Sequence, residues 1–302
     1  MALKDIKAKI KSTERTHKVT RAMEAVSAVK MRKTQTAAFA DRPYARGALM
    51  ILARLSGAGD IARHPLTEVR KVKRTALVVI TSDKGLAGAL NSSVLKEVER
   101  LLAGKEKDAI RVFAVGRKAD DYFRRRHFTI LESRENKSDD VELASVQNLS
   151  AELTNGFLSG EFDEVIAVYS NFKSTFEQVP TARTLLPLSL EELSQLVADI
   201  PPEKGKFAES RAITSPPAYS VEPSAEEVLG ALIPRLVAIS LYHMMLEAKA
   251  SEHSARMVAM KNASDKSKEV AHDLTRLFNK IRQAAITREV SEIVSGREAL
   301  AT

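Results

Sequence analysis

Residues 279–296 read NKIRQAAITREVSEIVSG, and they close a stretch, 235–295, that contains neither Gly nor Pro. Because these two helix-breaking residues are absent, the stretch predicts one long helix. About 61 residues, each rising ~1.5 Å, would make a helix roughly 90 Å long. A compact domain has no room for a helix of that length, so part of it must extend beyond the body of the protein.

Apolar residues in this stretch recur at alternating steps of four and three. They are Val270, Leu274, Leu277, Ile281 and Ala284. This spacing is typical of a coiled coil, in which an apolar line packs against one other helix.

The partner helix is expected at the other end of the chain, where residues 1–42 also lack Gly and Pro. Two groups of apolar residues there recur at three and four residues, namely Leu3, Ile6, Ile10, Val19, Met23 and Val26. This predicts an amphipathic helix, bent at Arg42-Pro43-Tyr44 and ended by Gly57 and Gly59. Small residues are the candidates to face the long helix: Ala22, Ala25, Ser27 and Ala28.

Between the two helices the spacing of the apolar residues changes from a helical pattern to short continuous runs. Short apolar, β-branched runs at 75–81, 111–115 and 165–169 predict buried strands, and helical patterns at 92–103 and 144–158 lie between them. Alternating strands and helices indicate an α/β domain with a largely parallel sheet. The predicted fold is therefore an α/β domain inserted between long N- and C-terminal helices that form an antiparallel coiled coil.

Four segments follow from these patterns. Residues 1–60 form the N-terminal coiled-coil helix, 70–196 the α/β (Rossmann-like) domain, and 226–302 the C-terminal coiled-coil helix. The segment 197–225 holds five of the ten prolines and is predicted to be a linker or an extended excursion.

The formal net charge of +8 is concentrated near the N-terminus, where residues 1–35 hold ten Lys and Arg against three acidic residues. Such a run can be a solvated helix face, or it can meet an acidic partner. Nucleic acid is a third possibility, but no aromatic residues interleave the basic ones and no recognition motif accompanies them. The prediction is no nucleic-acid partner.

Several site types are disfavoured. The chain has no Cys, which excludes disulfides and thiolate metal ligands and fits an intracellular protein. His243, His253 and His272 are not spaced as metal ligands on a helix, and no pair of carboxylates suggests an acid and a base. No run of about 18 apolar residues and no signal peptide is visible, so membrane association is expected only through partners. No cofactor, metal or catalytic residue is predicted.

The segment TSDKGLAGALN, residues 81–91, follows a predicted strand and opens a helix. A Gly-rich turn in that position can bind phosphate on the N–H groups of the helix N-terminus. It lacks both GxxxxGK[ST] and GxGxxG, however, so we interpret it as a strand-to-helix turn.

Seven segments together resemble the γ subunits of F-type ATP synthases of the bacterial type. They are AMEAVSAVKMRKTQ (22–35), RPYA (42–45), TSDKGLAGALN (81–91), QVPTARTLLPL (178–188), YSVEPSAEEVL (219–229), ASEHSARMVAMKNASD (250–265) and NKIRQAAITREVSEIVSG (279–296). The resemblance implies a non-catalytic central rotary shaft that couples proton flow through the membrane sector to ATP synthesis or hydrolysis at the β-subunit sites. It implies α and β subunits around the shaft, and the ε subunit and the c-subunit ring at its foot.

The resemblance also implies contact residues for the β subunit. Arg282, Gln283, Thr287 and Glu289 match a segment near the top of the shaft, whereas Arg288 departs from the Gln usual there. Lower down, Met23, Lys30, Arg32 and Lys33 match a segment that passes an acidic region of β. Exposed cations that slide past carboxylates gain up to about 1 kcal/mol each, which suits a contact that must move.

One alternative belongs to another functional class: a small α/β nucleotide-binding enzyme whose helical arms serve oligomerisation. Affinity of the isolated chain for ATP or NAD would discriminate the two. The expected location for the shaft is the cytoplasmic face of the bacterial inner membrane, as a peripheral subunit, since no mitochondrial presequence is visible.

Overall fold

A computed structural model describes residues 3–40, 64–138, 140–189, 191 and 224–301. The chain divides into two compact units, Met1–Ser27 with Met257–Thr302 and Ala28–Arg256. The predicted bend at Arg42-Pro43-Tyr44, the predicted helix end at Gly57 and Gly59, and nearly all of the Pro-rich segment 197–225 lie outside the described residues.

The predicted helices and strands occur in the predicted order, and one further helix and two further strands lie among them. The helices are α1 Leu3–Ala40, α2 Leu90–Leu102, α3 Arg117–Arg125, α4 Leu143–Leu158 and α5 Ala225–Ala301. The strands are β1 Thr75–Ile80, β2 Ile110–Val115, β3 Thr129–Arg134, β4 Glu164–Phe172 and β5 Gln178–Leu186. At 77 residues, α5 is longer than the predicted breaker-free stretch, because Pro234 lies inside it.

The strands form one sheet in the order β3-β2-β1-β4-β5. The pairs β1/β2, β1/β4 and β2/β3 are parallel, and β5 pairs antiparallel with β4. The largely parallel sheet is therefore confirmed, and every residue of its central strand β1 is buried.

Both faces of the sheet carry helices. Ala76, Val78 and Ile80 of β1 belong to a core cluster shared with α4 and with α5 residues up to Ala248. Leu77 and Val79 of the same strand belong to a second cluster with α2 and α3. Since successive side chains of a strand point to opposite faces, the strand is apolar throughout because both of its faces are covered.

The segment Glu226–Ser295 of α5 contains an 18-residue window with mean hydropathy 1.6, enough by length and composition to cross a membrane. The sequence shows no uninterrupted apolar run of that length, but the averaged window tolerates two charged residues. The core helix of a soluble protein passes the same test, and 44% of the window is buried. Leu236, Val237 and Leu241 of α5 are core residues of the α/β domain.

In the smaller unit the two chain ends pack as an antiparallel helix pair, which confirms the predicted coiled coil. His17 Nδ1 of α1 lies 3.0 Å from both the backbone oxygen and the hydroxyl of Ser264 on α5. The covered line of α1 includes Ile6, Thr20 and Ser27, all buried.

The predicted faces were partly wrong. On α1, Val19 and Val26 are exposed, as are Ala22 and Ala25, whereas Ser27 is buried. On α5, Leu274 and Ile281 are partly covered, but three other predicted seam residues are exposed, Val270, Leu277 and Ala284. Polar residues such as Thr20 and Ser27 share the covered positions with Ile6. Thr20 can be covered because its hydroxyl donates to Thr16 O within the same helix over 2.9 Å. An apolar pattern alone does not find such a seam.

Candidate partner-contact surfaces

The predicted upper contact residues lie near the C-terminal end of α5, and all four are exposed: Arg282, Gln283, Thr287 and Glu289. Thr287 Oγ1 donates to the backbone oxygen of Gln283 over 3.0 Å, so this hydroxyl is directed along its own helix. At 100° per residue, Arg282 and Glu289 share one line on the helix, and Gln283 and Thr287 share a neighbouring line. The four residues therefore lie on one side of α5.

Exposed apolar residues lie on the same side of the helix. They are Ile286, Val290, Ile293 and Val294, each more than half exposed. The covered residues Leu274 and Ile281 lie on the other side, as the helical period requires. A contiguous exposed apolar stripe on a helix marks a surface that another protein covers. We name these eight residues the tip surface.

The apolar half of the tip surface was not predicted. The predicted heptad line ends at Ala284, and the residues predicted as contacts beyond it are polar. The signal was present, because Ile286, Val290 and Ile293 recur at steps of four and three. A helix with apolar residues on two sides packs on two partners, of which this chain supplies one.

The predicted lower contact residues lie on α1. Met23 and Lys30 are partly covered, whereas Arg32 and Lys33 are exposed. Lys33 Nζ lies 2.7 Å from Asp140 Oδ1, and both side chains are largely exposed. An exposed pair of this kind contributes about 1 kcal/mol or less, so Asp140 holds Lys33 only weakly.

The TSDKGLAGALN segment follows β1 and is hydrogen-bonded to the residues that follow β2 and β3. Thr81 Oγ1 accepts the N–H of Ala119 at 2.9 Å. Asp83 accepts the N–H groups of Arg117 at 2.8 Å and of Asn136 at 3.0 Å. These bonds join the segment to α3 and to the residues after β3, which leaves those groups engaged within the protein. The interpretation of this segment as a structural turn fits its hydrogen bonds.

Helix α5 occupies the edge of the sheet where a nucleotide would bind in a related fold. Ligands of such sheets lie beyond the carboxyl ends of the strands, where the strand order switches, here between β1 and β4. Ser251 Oγ of α5 donates to Ser170 O of β4 over 2.9 Å. Arg256 donates to Gly85 O, after β1, over 3.4 Å. Side chains of α5 thus take the positions available to a nucleotide.

One buried pair of polar side chains on this face also bonds within the protein. Arg183 Nε of β5 donates to the hydroxyl of Tyr169 in β4 over 3.1 Å. Burial raises the pKa of Tyr169, and the carboxylate of Glu247 on α5 raises it further. The phenol therefore stays protonated at neutral pH.

The described residues offer little for ligand chemistry. No group of three or more His, Asp or Glu side chains among them could hold a metal ion. A groove of about 870 Å³ lies between α4 and α5, and of its described lining residues only Arg235 is charged.

Comparisons with known proteins agree with this picture. The sequence profile of the family described as "ATP synthase" matches residues 2–300. The chain belongs to the ATP synthase γ chain family.

Curated γ chains are similar over their full length. The ATP synthase gamma chain of Roseiflexus sp. (strain RS-1) is 43% identical over 302 residues, which cover 99% of this chain and 98% of that protein. The gamma chain of Moorella thermoacetica is 40% identical over 298 residues, covering 99% of each. The predicted family is thereby confirmed.

Solved structures extend the likeness to the fold. A chain from the central stalk and c-ring of the Tetrahymena thermophila mitochondrial ATP synthase aligns with a TM-score of 0.60 and 28% identity, covering 82% of this chain and 99% of that one. A chain from the rotor of the Euglena gracilis mitochondrial ATP synthase aligns with a TM-score of 0.63, covering 94% and 98%. At 17% identity, the second likeness concerns the fold alone.

For this γ chain family member we predict no ATP binding by the isolated chain. The reason is that Ser251 and Arg256 of α5 bond to the strand ends at the crevice, and that Thr81 and Asp83 of the 81–91 segment bond within the protein. Isothermal titration with ATP should detect no binding with a Kd below about 1 mM. A catalytic β subunit titrated in the same buffer is the positive control. Micromolar binding would favour the enzyme alternative.

Proposed function

We infer that the chain is the central rotary shaft of an F-type ATP synthase and couples proton flow to ATP synthesis or hydrolysis at the β-subunit sites. The observation that carries this is α5, a single helix whose distal part exposes the apolar residues of the tip surface. The shaft itself is non-catalytic. Its partners are the α and β subunits around it, and the ε subunit and the c-subunit ring at its foot.

We propose that the tip surface is the upper contact with the β subunit. Arg282, Gln283, Thr287 and Glu289 offer charge and hydrogen bonds, and the exposed apolar residues between them offer a smooth, non-directional surface. Apolar contact has no preferred direction, so a partner can slide over it without breaking specific bonds. This combination suits a shaft that turns within its housing.

A lower contact with β is proposed on α1, at Met23, Lys30, Arg32 and Lys33. Exposed ion pairs are weak and screened by salt, so these cations can pass from one carboxylate to the next. The pair of Lys33 with Asp140 supports this, because it shows the cation held by an exposed carboxylate of the same chain. Asp140 would compete with the acidic partner for Lys33.

The segment limits 1–60, 70–196, 197–225 and 226–302 remain our proposal for the domain organisation. The complex is membrane-associated, and we place the chain on the cytoplasmic face of a bacterial inner membrane as a peripheral subunit. Gamma chains of bacteria such as Roseiflexus and Moorella are its relatives, which supports this placement.

The test is ATP hydrolysis and proton pumping by complexes reconstituted with variants of the chain. A chain truncated before Asn279 should lose pumping, since the whole tip surface is removed. The double variant Arg282→Ala with Gln283→Ala should slow turnover about tenfold, which corresponds to about 1.4 kcal/mol.

Arg288→Ala is the matched control. Arg288 is exposed on the same stretch of α5 and pairs with Glu292 at 3.2 Å, but it lies outside the tip surface. It should leave both activities near those of the intact chain. Equal effects of the control and the double variant would contradict the proposed contact, and full activity without any γ chain would contradict the shaft function.

A further inference from the structure

Four side chains of α5, between residues 249 and 256, donate hydrogen bonds to backbone oxygens at or beyond the carboxyl ends of the strands. Lys249 Nζ donates to Asn136 O over 2.7 Å, after β3, and Ser251 donates to Ser170 O of β4. Ser254 Oγ donates to Thr175 O, between β4 and β5, over 2.6 Å, and Arg256 donates to Gly85 O, after β1. Helix α5 is thus bonded to the ends of three strands at once.

A buried carboxylate holds two of these side chains together. Glu252 Oε1 lies 2.7 Å from Arg256, and Glu252 Oε2 lies 3.4 Å from Lys249 Nζ. All three residues are buried, with 3% to 8% of their surface exposed. Removing three charges from water is costly, so this cluster is a poor way to gain stability alone. We name Lys249, Glu252 and Arg256 the charge clamp.

The charge clamp differs in kind from the apolar contacts beside it. Leu236, Val237 and Leu241 hold α5 to the sheet through apolar packing, and the hydrophobic effect has no directional preference of its own. The hydrogen bonds of the clamp have fixed lengths and directions, so they form at one rotation and one axial position of α5. Buried polar groups are known to set register in this way.

The loops that accept hydrogen bonds from the charge clamp are also hydrogen-bonded to each other. Asp83 accepts the N–H of Asn136, and Asn136 Nδ2 donates to Thr81 O over 2.8 Å. The loops after β1 and β3 are therefore bonded to each other as well as to α5. A load applied to one of them is shared by the sheet.

We propose that the charge clamp, with Glu252 at its centre, is the element that fixes the rotation of α5 against the α/β domain, so that torque passes between them without slip. This rests on the shaft function proposed above. Because α5 is continuous, a twist applied at its distal half reaches residues 249–256 along the helix. Glu252 acts there as a positioning residue, since it orients Lys249 and Arg256 and touches no substrate.

The experiment uses the reconstituted proton-translocating complex with Glu252→Gln, which keeps the shape of the side chain and removes its charge. We expect ATP hydrolysis to continue while pumping per ATP falls, because the helix turns against its own domain. The matched control is Glu269→Gln on the same helix, where Glu269 pairs with Lys266 at 2.8 Å in an exposed position. Pumping per ATP should be unchanged in the control.

A second variant separates positioning from folding. Lys249→Met, Glu252→Leu and Arg256→Met together replace the clamp by apolar residues of similar size, an exchange that often preserves stability. We expect this chain to fold and assemble, with hydrolysis retained and pumping lost. Full pumping by the triple variant would overturn the proposal, because packing alone would then suffice. A wild-type chain that adds no activity to a complex lacking γ would contradict the shaft function itself. Loss of both activities in the triple variant, with the wild-type chain active, would contradict only the proposed role of the clamp.

Discussion

Gly116→Ala should destabilise the α/β domain by about 3–5 kcal/mol, the largest effect that we expect from a single methyl group in this chain. Gly116 joins β2 to α3 with a φ of +96°, a conformation that L side chains rarely adopt. A Cβ there would lie 2.2 Å from the backbone oxygen of Thr81. Thr81 directly follows the central strand β1, so its backbone cannot yield without disturbing the sheet. The midpoint of urea unfolding of the isolated chain measures the loss.

Gly104→Ala is the matched control for this substitution. Gly104 also has a positive φ, +81°, but a Cβ at that position would meet nothing within 4 Å. Only the conformational strain remains, which costs about 1–2 kcal/mol. If both alanines lowered stability equally, close approach to Thr81 would not be the cause.

Leu241→Ala is expected to destabilise the same domain by about 2–5 kcal/mol. Leu241 is fully buried in the core cluster that α5 shares with the sheet and α4. Truncation removes its apolar contacts and leaves a cavity among well-packed neighbours. Urea unfolding of the isolated chain, followed by circular dichroism, again gives the change.

Leu277→Ala serves as the control on the same helix, because 43% of Leu277 is exposed. Its effect should stay below about 1 kcal/mol. A Leu241→Ala chain as stable as the wild type would mean that this part of α5 is not a core helix. The apolar window of α5 would then call for another explanation, a membrane span included.

Much of the fold could be predicted because the central strands have a clear sequence signal. A strand buried on both faces is apolar throughout, and β1, β2 and β4 were found on that signal. The edge strands β3 and β5 were missed. Strand β3 alternates exposed and partly covered residues and carries charged side chains. Strand β5 contains Pro180, which edge strands accept because one of their sides needs no N–H donor.

The candidate surfaces were harder to predict. The polar half of the tip surface came from a resemblance, and no local pattern identified its apolar half as exposed, since an exposed stripe and a buried stripe look alike in sequence. The charge clamp was missed because Lys249, Glu252 and Arg256 resemble an ordinary solvated helix face. Only the fold places the loops after β1 and β3 against them.

The polar seam of α1 has a consequence for biosynthesis. His17 and Ser264 are 247 positions apart, so α1 leaves the ribosome long before its partner exists. At about 5–20 residues per second, translation leaves α1 alone for roughly 12–50 s. A seam of leucines would expose nascent chains to aggregation during that time. The covered positions of α1 instead include Thr20, Ser27 and Thr34, which present little apolar surface. The hydroxyls of Thr20 and Thr34 also bond within α1. A newly made α1 can therefore stay soluble until the C-terminal helix has been translated.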